Sequence, residues 1–200
     1  MFMFNRHIQV KPGQSAEAAP EMIDLIARAN SITGRQATVY TVVLGSVGRM
    51  WVADMFSTHS ELMTMNAQLL GDADFMAAQR SLAERLDGPA NDSMARVTHV
   101  AGALREPPGA IAVTTWQVDP RQWAASLAWS HEMADAQHES SGITQTVFNL
   151  AEPIPFTIGL CANAGSFDEI DAARSALPDA TILQLLESAP SAPILTCSLA

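Results

Sequence analysis

The chain has 200 residues, 21 acidic and 11 basic side chains for a formal net charge of -10, and a composition 48% hydrophobic and 16% charged. That is too apolar for a disordered polymer and too acidic to attract a phosphate backbone, so nucleic acid is excluded as a partner. A membrane span would need roughly 18 apolar residues in a row, and the longest uncharged stretch, 153–167, is interrupted by prolines, glycines and an asparagine.

Met1 to Phe4, followed by Asn5, Arg6 and His7, lack the basic-then-apolar order and cleavage site of a signal peptide. Cys161 and Cys197 share no metal spacing and read as reduced thiols. The expectation is a soluble, acidic, cytoplasmic protein.

In chain order, alternation of apolar and polar residues predicts a strand over 4–10, a helix over 20–31, strands over 38–44 and 50–56, a long helix over 59–86 and a strand over 96–101. The first helix is expected to start at Pro20, because proline suits a first turn and Lys11, ahead of Pro12, is a poor cap. Gly45 to Gly48 supply a hairpin turn. The long helix should break near Gly71 and Asp72, since glycine costs about 1 kcal/mol against alanine in a helix interior. Pro107, Pro108 and Gly109 mark a joint over 104–109. Beyond it the pattern predicts a strand over 112–118, a helix over 120–138, strands over 145–150 and 157–162 around a turn at 152–155, helices over 167–175 and 180–186, and a strand over 194–199.

The second half repeats the first. A shift of 108 positions aligns residues 9–62 with 117–170 without a gap, and nine of the 54 pairs are identical, where chance would give roughly three. Gln9, Val10, Pro12, Gln14 and Ala16 recur as Gln117, Val118, Pro120, Gln122 and Ala124, and Gly34, Thr38, Val39 and Glu61 as Gly142, Thr146, Val147 and Glu169. Structural signals recur in the same register. Thr58 with Glu61 and Ser166 with Glu169 are capping boxes, while Gly34 and Gly142 stand where a left-handed residue ends a helix.

Each half, 1–103 and 110–200, therefore spells β-α-β-β-α-β, the ferredoxin-like unit with both helices on one face of an antiparallel sheet. The other face must be covered, and two units in one chain can cover each other as a barrel with helices outside. On these residues the chain resembles the dimeric α/β-barrel superfamily in tandem form, an α+β class in which two ferredoxin-like repeats form an intramolecular dimeric α/β-barrel. The stretch 66–88, with Leu69, Leu70, Asp72, Phe75, Leu86, Asp87 and Gly88, is similar to the second-helix region of NIPSNAP-like members. The superfamily holds cofactor-free monooxygenases, haem proteins, isomerases and members with no known activity, so the resemblance implies a fold and leaves the function open.

Strand periodicity separates the faces of each sheet. Ile8 and Val10 with Trp116 and Val118, Tyr40, Val42 and Leu44 with Phe148, Leu150 and Glu152, and Met50 and Val52 with Ile158 and Leu160 are assigned to the helix side. His7, Gln9, Thr41, Arg49, Trp51, Thr115, Gln117 and Asn149 are then expected to face the barrel interior, as a few polar groups among apolar walls. Trp51 has Gly159 as its repeat counterpart, an asymmetry that would leave room for a flat ligand. The competing reading is a barrel filled by side chains whose polar groups satisfy one another.

No phosphate loop, G-x-S-x-G elbow, C-x-x-C or H-E-x-x-H is present. His131, Asp135 and His138 can share a helix face, but a solvated edge accounts for them better than a metal site, and no metal or cofactor is assigned. His7 is the candidate general base, with Arg49 to steady an oxyanion, and Gln9, Thr41, Trp51, Thr115, Gln117 and Asn149 are the ligand-binding candidates. A His7 hydrogen-bonded in the core to Gln9 or Gln117 is the alternative, and the face of His99 stays open. His59 reads as surface, Tyr40, Trp123 and Trp129 as core, and the methionines as adaptable filler.

Two functions remain. One is a small-molecule-binding barrel acting as a cofactor-independent enzyme of the monooxygenase or isomerase type on a flat or carbonyl-bearing compound, which the resemblance implies. The other is a non-catalytic NIPSNAP-like binding or assembly protein. A small organic molecule is the expected partner, and formation of a homodimer is left open.

Overall fold

The computed structural model describes residues 1–43, 48–104, 108–152, 156–176 and 196–199, with the backbone alone for 151–152, 174–176 and 196–199. The chain divides into two compact units, Met1–Met94 and Ala95–Ala200.

Unit 1 runs through β1 (Phe2–Gln9), α1 (Ser15–Thr33), β2 (Thr38–Thr41), β3 (Arg49–Phe56), α2 (His59–Gly71) and α3 (Ala73–Ala83) to β4 (Asn91–Ala101), inside which the boundary falls. β3 pairs antiparallel with β1 and β2, giving the order β2-β3-β1-β4. This is the sheet of a ferredoxin-like unit. Ile8, Val10, Met50 and Val52 pack from the sheet against Met22, Leu25 and Ala29 of α1 and against Phe75 and Leu82 of α3. α1 starts at Ser15, ahead of the expected Pro20. Ala18 is fully buried and its N–H bonds the Gln14 carbonyl at 2.9 Å, so packing extends the helix back past the proline. The long second helix breaks where glycine predicts. Asp72 ends α2 and caps α3, its carboxylate accepting from the Phe75 N–H at 2.7 Å and from Arg28.

Unit 2 carries β5 (Ala110–Gln117), α4 (Trp123–Ser141), β6 (Thr144–Glu152), β7 (Thr157–Ala164), α5 (Phe167–Ala176) and β8 (Thr196–Leu199). β7 pairs antiparallel with β5 and β6, and β5 with β8, in the order β6-β7-β5-β8. The predicted start of its first helix at Pro120 is a 3-10 turn, Pro120–Gln122, capped by Asp119. Hydrogen bonds from the Arg121 guanidinium and N–H draw the Asp119 carboxyl down to about 2. Trp116, Val118, Val147, Ile158 and Leu160 pack against Met133 and Ala134 of α4.

The shift of 108 carries into the backbone. β1 and β5, α1 and α4, and β3 and β7 match at both ends, and the pair Phe2↔Phe56 recurs as Ala110↔Ala164. Gly34 and Gly142 close α1 and α4 at φ 69 and 71. In both capping boxes the hydroxyl accepts from the Glu61 or Glu169 N–H at 3.2 and 3.4 Å. Each carboxylate reaches back one residue before the cap, to Ser57 N–H and Gly165 N–H at 2.9 Å. The expected helix at 180–186, the joint residues 105–107, and the turn residues 45–47 and 153–155 lie outside the described residues. No described helix is long and apolar enough to cross a membrane.

Candidate functional site

On the unit 1 sheet face away from the helices, β1–β3 register pairs His7 with Trp51 and Gln9 with Arg49. The His7 and Trp51 rings stack at 5.4 Å, Tyr40 tilts onto Trp51 at 5.9 Å, and Trp51 Nε1–H donates to Asn5 Oδ1 at 3.0 Å. Burial first, and the Arg49 charge second, hold the His7 imidazole below its ordinary pKa. Its Nδ1 is buried with no partner among the described residues. His7 is thus a neutral ring at pH 7, the form in which an imidazole can accept a proton.

Two expected inward residues lie on the helix side instead. Thr41 pairs with Met50, and Tyr40 with Trp51. Directly opposed residues of an antiparallel ladder share a face, so Tyr40 joins the His7–Trp51 stack and Thr41 does not. The same correction applies in unit 2, where Asn149 pairs with Ile158 and Phe148 with Gly159. Val39 and Val147 accordingly join the helix-side clusters. Val39 and Tyr40, like Val147 and Phe148, are adjacent apolar residues, so either phase of alternation buries one of them and the pattern does not choose. Nor does Gly159 leave space, because a Cβ there would collide with the Phe148 ring. Thr115 and Gln117 keep their assigned face, opposite Gly159 and Thr157.

His99 lies with α4. Its Nε2 is 2.7 Å from Asp135 Oδ1 and its ring stacks on His131 at 4.8 Å. His131 Nε2 is 3.2 Å from Thr98 Oγ1, and His138 Nδ1 is 3.0 Å from the Ile143 carbonyl. His131 and Asp135 therefore share His99 while His138 bonds elsewhere, and no group of three or more metal-ligating side chains is placed to hold an ion among the described residues. Cys161 is a free thiol that burial pushes up to about 12, which keeps it unreactive at neutral pH.

Sequence reasoning missed a cavity of about 250 Å3 in unit 2, between the helix side of its sheet and helices α4 and α5. β5 lays down Ala112, Thr114 and Trp116, and β7 adds Leu160 and Ala162. Trp129, Met133 and Gln137 line it at the four-residue spacing of one helix face. Ile170 and Ala173 of α5 line it too, with Ile143 and Gln145, and Ile143 packs in one cluster with Ile170. Trp116 and Trp129 meet edge to face, with centroids 5.9 Å apart and planes at 80°, and form an aromatic corner. None of the described lining side chains is titratable. Gln145 is only 3% exposed, and its Oε1 has no partner among the described residues. The signal that could have revealed this cleft is in the repeat: Ala112, Ala162 and Ala173 stand where the first copy has Phe4, Asp54 and Met65.

No protein-family model matches the chain, and no curated protein matches it significantly. Solved structures match by fold. A protein named "Putative monooxygenase" from Fusobacterium nucleatum subsp. nucleatum aligns at 8% identity over 99% of this chain and 90% of its own, with a TM-score of 0.74. An anthrone oxidase-like protein aligns at 11% identity over 99% and 90%, with a TM-score of 0.65. A NIPSNAP family protein from Agrobacterium tumefaciens str. C58 aligns at 13% identity over 46% of this chain and 89% of its own, with a TM-score of 0.43. The two whole-chain likenesses are of fold alone. That fold is α+β, and each unit is a ferredoxin-like β-α-β-β-α-β repeat, as the sequence predicts.

Proposed function

We propose that the protein, built as repeats 1–103 and 110–200, binds a flat, uncharged organic molecule of one or two rings in the cleft of unit 2. The observation that carries this reading is the Trp116–Trp129 corner in a cavity with no titratable side chain among its described lining residues. A planar ring can stack on one indole while meeting the edge of the other. A charged ligand would give up its hydration with no countercharge to meet it. Size narrows the class further: about 250 Å3 is the liquid volume of roughly eight waters, below the roughly 300–1,000 Å3 of sites that enclose drug-sized ligands.

Calorimetric titration of the full chain with neutral bicyclic arenes tests this. Binding that disappears in Ala162→Leu, whose added side chain occupies the cleft, is the expected result. Binding that survives the substitution, or no binding by any of the arenes, overturns it.

A second reading adds catalysis without a cofactor, of the monooxygenase or isomerase type, on a flat or carbonyl-bearing compound. It is favoured by His7, whose pKa is lowered and whose buried Nδ1 has no hydrogen-bond partner among the described residues, with Arg49 on the neighbouring strand, and the names of the two whole-chain structural neighbours are in keeping with it. In this reading His7 takes a proton from an acidic C–H or O–H, Arg49 steadies the oxyanion, and Gln9 and Trp51 flank them. Oxygen uptake or isomerisation by the wild-type chain that His7→Ala abolishes is the expected outcome. An unaffected rate removes His7 from the chemistry, and no turnover of any kind leaves the non-catalytic, NIPSNAP-like binding role.

A further inference from the structure

We infer that the ligand of the unit 2 cleft is a flat ring compound carrying a lactam or other neutral amide, a C=O beside an N–H, with that polar edge set between Gln137 of α4 and Thr114 of β5. The inference rests on the cleft being a ligand site. Both side chains line it, one from the helix wall and one from the sheet. Neither side chain makes a hydrogen bond among the described residues, and neither has a polar atom sealed from solvent, in contrast to Gln145 Oε1.

The repeat shows where the Gln137 side chain leads. Its counterpart is Ala29, 7% exposed in the unit 1 core, so this face of α4 turns toward the sheet and a longer side chain extends into the space between them. Gln137 also follows Trp129 and Met133 at four-residue spacing along that face. Thr114 stands two residues from Trp116 on the same face of β5, about 7 Å along the strand, so one fused two-ring frame reaches from the aromatic corner to its hydroxyl. Polar atoms open to solvent are hydrated and do not burden the fold. A ring that displaces their water without replacing its hydrogen bonds loses affinity, and the site then discriminates against an analogue lacking the matching group. A carboxamide has N–H donors and a C=O acceptor, and a hydroxyl both donates and accepts. The complement of the carboxamide is a donor adjacent to an acceptor, which a lactam presents on one ring edge. That match holds for either orientation of the Gln137 amide, since the ring can turn over.

Naphthalene, quinoline and carbostyril, the lactam of the same fused two-ring frame, offer in that order no hydrogen-bonding group, an acceptor, and an acceptor beside a donor. Each is titrated calorimetrically into the full chain and into Gln137→Leu, which nearly keeps the volume and removes the amide. The substitution should weaken carbostyril about tenfold, weaken quinoline less, and leave naphthalene as before, and that naphthalene binding also reports an intact fold and an open cleft. Thr114→Val should likewise weaken carbostyril and spare naphthalene, and an unmoved carbostyril affinity in either variant overturns that residue's part. Equal changes for all three compounds in Gln137→Leu, or a wild type that binds naphthalene and not carbostyril, would overturn the amide class and leave the cleft as a ligand site. If none of the three binds, the cleft assignment fails and this inference fails with it.

Discussion

On the helix side of their sheets, the two copies of the repeat fill the same frame with different volumes. In unit 1, Arg35 bonds Asp54 at 2.6 Å and lies over the Phe56 ring at 3.9 Å, while Phe4 and Arg6 occupy the helix side of β1. The corresponding positions in unit 2 are Ile143, Ala162, Ala164, Ala112 and Thr114. Strand register is the same in both. The unit that holds the cavity therefore carries smaller side chains at a handful of positions on the same strand register. Interiors are packed near crystal density, so shortening several side chains that share one layer leaves a space their neighbours do not refill.

The comparison can be broken most severely in unit 1. Phe56 is 1% exposed, and Phe56→Ala, which imports the alanine of unit 2, should cost about 3–5 kcal/mol in urea unfolding. A cost under about 1 kcal/mol would mean that unit 1 collapses easily and the volume argument is wrong. Asp54→Ala comes next. It strips Arg35, itself partly buried, of its close carboxylate partner and leaves it the Met55 carbonyl and the more distant Glu61 at 3.9 Å. The expected loss is about 2–3 kcal/mol by the same measurement.

Within β7 the two faces should respond oppositely. Gly159→Ala meets the Phe148 ring and should destabilise by about 1–3 kcal/mol. Ala162→Leu, directed into the cleft, should be neutral or stabilising by up to about 1 kcal/mol. Equal melting temperatures for the two variants would contradict this division of β7.

The smallest effect concerns pH. His7 has a folded-state pKa below its unfolded value, so the unfolded chain takes up the proton first. Stability is then intact above an unfolded pKa of about 6.5 and falls as the pH drops through that value. His131 acts in the same direction, chiefly through burial. His7→Gln should flatten the decline in melting temperature between about pH 7 and pH 5. An unchanged slope would mean that the imidazole is not held neutral.

Much of the frame was legible in residues that act locally. The Thr58 and Ser166 boxes, the glycines after α1 and α4, and the Asp72 break each work through backbone groups within one helical turn, and all appear in the structure. The faces of β1, β3, β5 and β7 followed from alternation. Thr41 and Asn149 were misassigned because β2 and β6 carry adjacent apolar residues, and pairing with β3 and β7 breaks that tie. The cleft escaped notice because alanine on the core side of a strand looks like ordinary packing until the side chains facing it are known.

The amino-acid sequence by itself determined the succession of elements, most of their ends and their duplication, since caps, breakers and alternation express themselves over a few neighbouring residues. Only the tertiary structure decided which side of β2 and β6 meets the helices, that Phe148 closes the space over Gly159, and that Gln145 lies beside an open aromatic corner. Strand register and the volume left between layers are set by residues far apart in the chain, and no local signal carries their sum.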